Sequence, residues 1–181
     1  MSILEIVTMG DPRLALVASP VVDFQDETLA LSIADMVDTM RHYQGVGLAA
    51  PQIGLSKQIL VLEVDVNERY PQAESIALNV LINPTIIAAS DEQESAWEGC
   101  LSLPGLRGKV ARAAQITYRA QSPTGDFLEK TVTGFHARII QHEIDHLKGV
   151  LYPQQLTDLH DFGFEDSLPG FNLENSLEKP V

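Results

Sequence analysis

His142-Glu143-Ile144-Asp145-His146 sets two imidazoles four residues apart, with a carboxylate beside the first. On a helix, positions four apart are offset by about 40° around the axis, so both rings face one way and can grip one ion. Glu143 then stands beside the ion rather than on it, where it can take a proton from metal-activated water as a general base. A catalytic metal site needs a third protein ligand and one open position. The longer pattern HExxHxxGxxH is matched through Gly149 but has Tyr152 where its third histidine would stand, which disfavours that branch. Downstream glutamates, Glu165 or Glu174, fall in a weakly patterned acidic stretch, a poor platform for a ligand held to a fraction of an ångström. Cys100 is the single cysteine. It lies in Glu98-Gly-Cys-Leu-Ser-Leu-Pro104, a loop bounded by Gly and Pro where backbone can approach a ligand closely, and thiolate suits the softer divalent ions. Its alternative role is that of a small buried hydrophobe. From the residues alone the third ligand stays open, with Cys100 the better candidate.

The elements that would carry these groups follow from periodicity. Leu29, Ile33, Met36, Val37, Met40 and Tyr43 recur at helical spacing between a cap at Asp26 and a stop at Gly45. Gly45 to Gln52 reads as a helix-to-strand connection, and Gln58 to Val64 as a buried strand. Val80 to Ala89 is extended, with Pro84 placing its second half at an edge or bend. Lys109 to Ala120 is extended too, and Ser122-Pro-Thr-Gly125 turns the chain into Phe127 to Val132. Thr133 caps a second helix from about Gly134 to Lys148, closed by Gly149, with Phe135, Ile139, Ile140, Ile144 and Leu147 apolar. The reading is a single α+β domain, its antiparallel β-sheets packed around a central C-terminal helix that carries HExxH. Residues 1–156 form the catalytic domain. Residues 157–181 hold six acids and one lysine among Gly163, Pro169, Gly170 and Pro180, and are expected to be a loosely attached acidic tail.

Composition narrows the function classes. The 181 residues are 45% hydrophobic and 20% charged, as in ordinary globular domains, and carry a net charge of −13, which disfavours direct nucleic-acid binding. No apolar run is long enough to span a membrane, and the N-terminus lacks the features of a signal peptide, so a cytoplasmic location is expected. Gly45-Val-Gly47-Leu-Ala-Ala50 formally fits a dinucleotide fingerprint, but its glycines follow a helix, Pro51 breaks any helix after them, and no basic residue lies within Gly45 to Gln52.

Three segments resemble, in content and order, the signature motifs of the peptide deformylases: Gly45 to Gln52 (GVGLAAPQ), Glu98 to Pro104 (EGCLSLP) and Gln141 to Gly149 (QHEIDHLKG). GDPRL near the start, LINP at Leu81 to Pro84 and GFHARIIQHE extend the likeness over most of residues 1–153. The resemblance implies that Cys100, His142 and His146 bind a catalytic Fe2+, which Zn2+, Ni2+ or Co2+ can replace. It implies hydrolysis of the N-formyl group from the N-terminal methionine of nascent polypeptides, in which metal-bound water attacks the formyl carbonyl and Glu143 acts as general base and then acid. Gln52 and the backbone N–H of Leu101 would polarise that carbonyl, and Gly47 would offer backbone hydrogen bonds to substrate. A close-packed wall at Gly45 to Leu48 would exclude an acetyl methyl, and Val46, Phe135 and Ile139 are candidates for the methionine slot. Formyl-Met nascent chains are then the partners, with transient ribosome proximity. The basic C-terminal helix by which some members dock on the ribosome is missing. The remaining alternatives are a metallo-amidase of another substrate and a silent relative, and the latter would be indicated by loss of Glu143, Gln52 or a ligand, all of which are present.

Overall fold

Asp26 opens the first helix by accepting a 2.8 Å hydrogen bond from the Thr28 amide, the expected N-cap for α1 (Glu27–His42). In the computed structural model, which describes residues 2–64 and 75–168, the left-handed turn after α1 is taken by Gln44 (φ 57°) rather than by Gly45. Gly45 is tightly packed instead: a Cβ there would stand 3.0 Å from Leu101 Cδ1 and 3.3 Å from Gly47 O. The segment after it is not a simple connection. It forms a short strand, β1 (Gly47–Ala49), then a 3-10 turn over Ala50–Ile53.

β2 (Ile59–Val64), β3 (Ile76–Ala89), β6 (Gln115–Gln121) and β7 (Phe127–Thr133) join β1 in a five-stranded antiparallel sheet of order β1-β2-β3-β6-β7. β4 (Gln93–Cys100), β5 (Leu103–Ala113) and β8 (Phe162–Phe164) form a second antiparallel sheet of order β4-β5-β8. The expected single strand from Lys109 to Ala120 is therefore two strands in different sheets. The chain breaks at Ala114, whose N–H and C=O bond to Glu92 O and Gly134 N. Pro84 falls as expected: β2 pairs with β3 only as far as Ile82, so from Pro84 on the strand has β6 alone as neighbour and its other side is an edge. A register shift between Ile82 and Thr85, with Asn83 at φ 52°, makes room for it. The Asn83 side chain replaces the lost ladder bonds, accepting from Val21 N and donating to Val21 O and Gln121 Oε1.

α2 (Gly134–Leu147) carries His142, Glu143 and His146, and ten of its fourteen residues are buried. Thr133 occupies its N-cap position, but without a side-chain cap bond. Ala137, Ile139, Ile140, Ile144 and Leu147 pack on the face of the large sheet that presents Leu60, Leu62, Val64, Ile116 and Tyr118. The opposite face, through Ile59, Val61 and Ile82, packs on Met36, Val37 and Met40 of α1. β2 is thus apolar on alternate sides toward two helices, which explains its continuous hydrophobic run.

The expected boundary after residue 156 is not a structural one. Tyr152 is buried against Val110 and Leu103, and Phe162–Phe164 pairs with Leu106–Gly108 of β5. Arg107 and Glu165 form an ion pair at 2.7 Å. Strand pairing and this ion pair hold the segment to the body despite its weak local pattern; residues 169–181 lie outside the described residues.

Candidate metal centre and active site

Cys100 ends β4, and Leu101 and Ser102 turn the chain directly into β5, where Leu103 pairs back with Cys100. The expected loop is thus the tight end of a hairpin, and Pro104 lies within β5. This hairpin packs against α2 so that one ligand atom each from Cys100, His142 and His146 lies within 4.8 Å of the others. Cys100 Sγ is 3.2 Å from His146 Nε2. All three side chains are buried.

Neither imidazole is spent on an ordinary core role. His142 Nδ1 meets Glu98 Oε2 at 2.9 Å, which leaves the buried Nε2 without a hydrogen-bond partner. A carboxylate on one ring nitrogen fixes the tautomer and turns the other nitrogen into a donor aimed at a metal. Two imidazole nitrogens and a thiolate sulfur, gathered at one point with a buried unpaired donor among them, fit a borderline-soft divalent ion. Burial pushes the Cys100 thiol up to about 12, with the Glu143 charge adding to the effect. Burial, then the neighbouring His142 and Arg112, hold His146 well below the usual imidazole range, so it stays neutral, the form in which an imidazole can bind a metal.

Glu143 is wholly buried, and neither of its carboxylate oxygens has a hydrogen-bond partner. Burial first, and the Glu98 charge second, raise its pKa well above the ordinary carboxylate value, a property that general acid–base groups share. Gly47 faces it closely: a Cβ at Gly47 would stand 2.5 Å from Glu143 Oε1. Gln52 is held on the other side. Its Oε1 accepts from Ala49 N at 2.8 Å, and its Nε2 lies 3.4 Å from Cys100 Sγ and 3.3 Å from Ser102 Oγ. An amide N–H is therefore presented beside the ligand cluster, with Leu101 next to Cys100 in the turn.

Three side chains outside the expected set complete the arrangement. Glu98, with no exposure, accepts from Arg112 Nε and Nη2, each at 2.9 Å, and from Arg138 Nη1 at 2.8 Å. Burial works to raise its pKa, but the bonds from Arg112 and His142 outweigh it and hold the carboxyl far below its usual range. Arg112 also pairs with Asp145 Oδ2 at 2.5 Å. Glu98 had one local signal, its position two residues before Cys100 on a strand. Arg138 had another, one helical turn before His142. Arg112 had none, because hairpin register brings it to Glu98.

A cleft of about 370 Å³ reaches the cluster, lined by Cys100, Leu101, Ile6, Tyr43, Pro104 and Arg107 among others. Val46 and Ile139 are buried in the core between α2 and the large sheet, and Phe135 packs partly buried against the same core.

The polypeptide deformylase model matches residues 3–162. The chain belongs to that family. Peptide deformylase 1 of Bordetella pertussis is 50% identical over 163 residues, 90% of this chain and 93% of the relative. Peptide deformylase 1 of Nitrosomonas europaea is 47% identical, covering 91% of this chain and 94% of the relative. Among solved structures, a class I type b peptide deformylase of Acinetobacter baumannii with Met-Ala-Ser bound superposes with a TM-score of 0.83 at 36% identity, covering 86% of this chain and 99% of the other. The peptide deformylase of Thermotoga maritima gives 0.78 at 39% identity, covering 87% and 100%. The fold shared with these deformylases is a small α+β domain of antiparallel sheets and two helices.

Proposed function

We propose that this chain hydrolyses the N-formyl group from the N-terminal methionine of nascent polypeptides. The observation that carries the reading is the convergence of Cys100, His142 and His146 with the unpartnered carboxylate of Glu143 beside them, in a chain of the deformylase family. The similar Acinetobacter enzyme binds Met-Ala-Ser, a peptide with a leading methionine, as the product of this reaction would have.

Cys100, His142 and His146 would hold Fe2+, with Zn2+, Ni2+ or Co2+ as replacements. When bound, the ion supplies Lewis-acid activation of water and polarises the formyl oxygen. Glu143 takes the proton as water adds to the formyl carbon, then gives it to the amine nitrogen as the C–N bond breaks, so formate and a free N-terminus leave. Gln52 Nε2 and the Leu101 N–H stabilise the oxyanion that develops between these states. Gly45 to Leu48 form the wall that admits a formyl hydrogen and rejects an acetyl methyl; Gly47 also leaves the space that Glu143 occupies. The methionine side chain is received beside Val46, Phe135 and Ile139. No helix among the described residues is long and apolar enough to cross a membrane. The chain works in the cytoplasm on peptides emerging near the ribosome, without nucleic-acid contact of its own, as its net charge of −13 favours.

The test is formate release from formyl-Met-Ala-Ser by protein prepared anaerobically with Fe2+, alongside acetyl-Met-Ala-Ser. Turnover of the formyl peptide alone supports the reading, and loss of activity in air, prevented by Ni2+ substitution, supports iron. No turnover by metal-loaded protein would sink it.

A further inference from the structure

We infer that Arg138 is a positioning residue for the metal centre, tying the helix that carries both histidines to the hairpin that carries the cysteine. The inference rests on the metal-site reading above. Cys100 and the histidines come from elements joined by no local chain, so the spacing of the three ligand atoms depends on how α2 is docked on β4 and β5. Arg138, one turn before His142, reaches both strands: Nη2 donates 2.6 Å to Glu94 O in β4, and Nη1 donates 2.9 Å to Val110 O in β5. Nη1 also donates 2.8 Å to Glu98 Oε1, whose other oxygen holds His142 Nδ1. Arg112 already binds Glu98 through two nitrogens. Neutralising that carboxylate therefore does not require a second guanidinium. What Arg138 adds is geometric: a planar fork with fixed donor directions, bonded to main-chain atoms of both strands and to the carboxylate that orients the ligand. The side chain is only 5% exposed, so these bonds face little competition from water.

The experiment is Co2+ binding by metal-free native protein and by Arg138→Met and Arg138→Lys, read through the thiolate and ligand-field absorption bands in competition with a chelator. Thermal unfolding of each metal-free protein is followed in parallel. The expected result for Arg138→Met is a roughly tenfold weaker Co2+ affinity, the low end for partners that orient a ligand, with shifted ligand-field bands. Arg138→Lys, which keeps a cation but not the fork, recovers only part of the affinity. Native affinity and native bands in Arg138→Met, with lower thermal stability alone, would overturn the inference and leave Arg138 a purely structural residue. If Arg138→Met does not fold, Arg138→Gln, which retains one donor, takes its place with the same expected loss and the same overturning result. Native protein that binds Co2+ but releases no formate would count against the proposed function while leaving this inference standing. Native protein that binds no Co2+ would overturn both.

Discussion

The two helices cover their sheets in opposite ways. Between α1 and the large sheet, Met36, Val37 and Met40 meet Ile59, Val61 and Ile82, and hydrocarbon fills the contact. Between α2 and the β4–β5 hairpin, the buried contact consists largely of Glu98, Arg112, Arg138, His142, Asp145 and Cys100. Among the described residues, every buried charged or imidazole side chain comes from β4, β5 or α2. Apolar burial is favourable at roughly 25 cal/mol per Å², whereas a buried charge costs free energy that only good partners offset. Most of the polar groups have those partners. Glu143, His142 Nε2 and His146 Nδ1 do not, and the first two are the groups that the proposed base and metal ligand would use.

The largest effect that tests this contrast is Glu143→Gln. Formate release should fall about 10²–10⁴-fold, the usual contribution of a general base. The same change should stabilise the metal-free protein near neutral pH. Glu143 has a folded-state pKa raised above its ordinary 4.5, so its contribution is fully present below that value and lost as pH rises toward the raised one. Melting curves of native and variant should diverge above about pH 5 and converge as pH falls toward 4.5. Parallel curves across that range would mean the carboxylate is not buried unpaired.

Met40→Ala and Glu98→Gln separate the two kinds of burial. Met40 is 1% exposed, and its truncation should cost about 2–5 kcal/mol in urea unfolding, with metal affinity in the folded protein unchanged. Glu98→Gln should instead weaken metal binding roughly 10–100-fold, read by chelator competition. Equal loss of metal affinity in both variants would erase the distinction between a scaffold face and a site face. The smallest expected effect is at the end of the second sheet. Glu165→Gln removes the ion pair with Arg107 and should cost about 1 kcal/mol, lowering the melting temperature by about 2–4 °C. No change would assign the docking of β8 to its backbone pairing alone.

Much of this was legible along the chain. The spacing of Leu29, Met36, Val37 and Met40 and the cap at Asp26 foretold α1, and the four-residue interval from His142 to His146 foretold a shared helix face. Both are local properties, set by helical periodicity and by an amide needing an acceptor. Pro84 marked the edge on the second half of β3, because a residue without an N–H cannot serve a ladder on that side, whereas the bulge at Asn83 and its partners Val21 and Gln121 had no local signal. The break at Ala114 has no local signature, because alternation is the same on either side of a change of sheet.

Residue types and short intervals were enough to single out the two histidines and the carboxylate beside them, and to favour Cys100 as the third member of the cluster that the structure gathers. For the histidines and Glu143 this is because a helix turn brings those atoms together whatever surrounds it; Cys100 reaches them only through the docking of β4 on α2. Arg112 on Glu98, Arg138 across both strands and the Phe162–Phe164 strand on β5 came from folding alone. Their partners lie 14 to 58 positions away in sequence, and pairing over such intervals is selected by register and burial that no local pattern encodes.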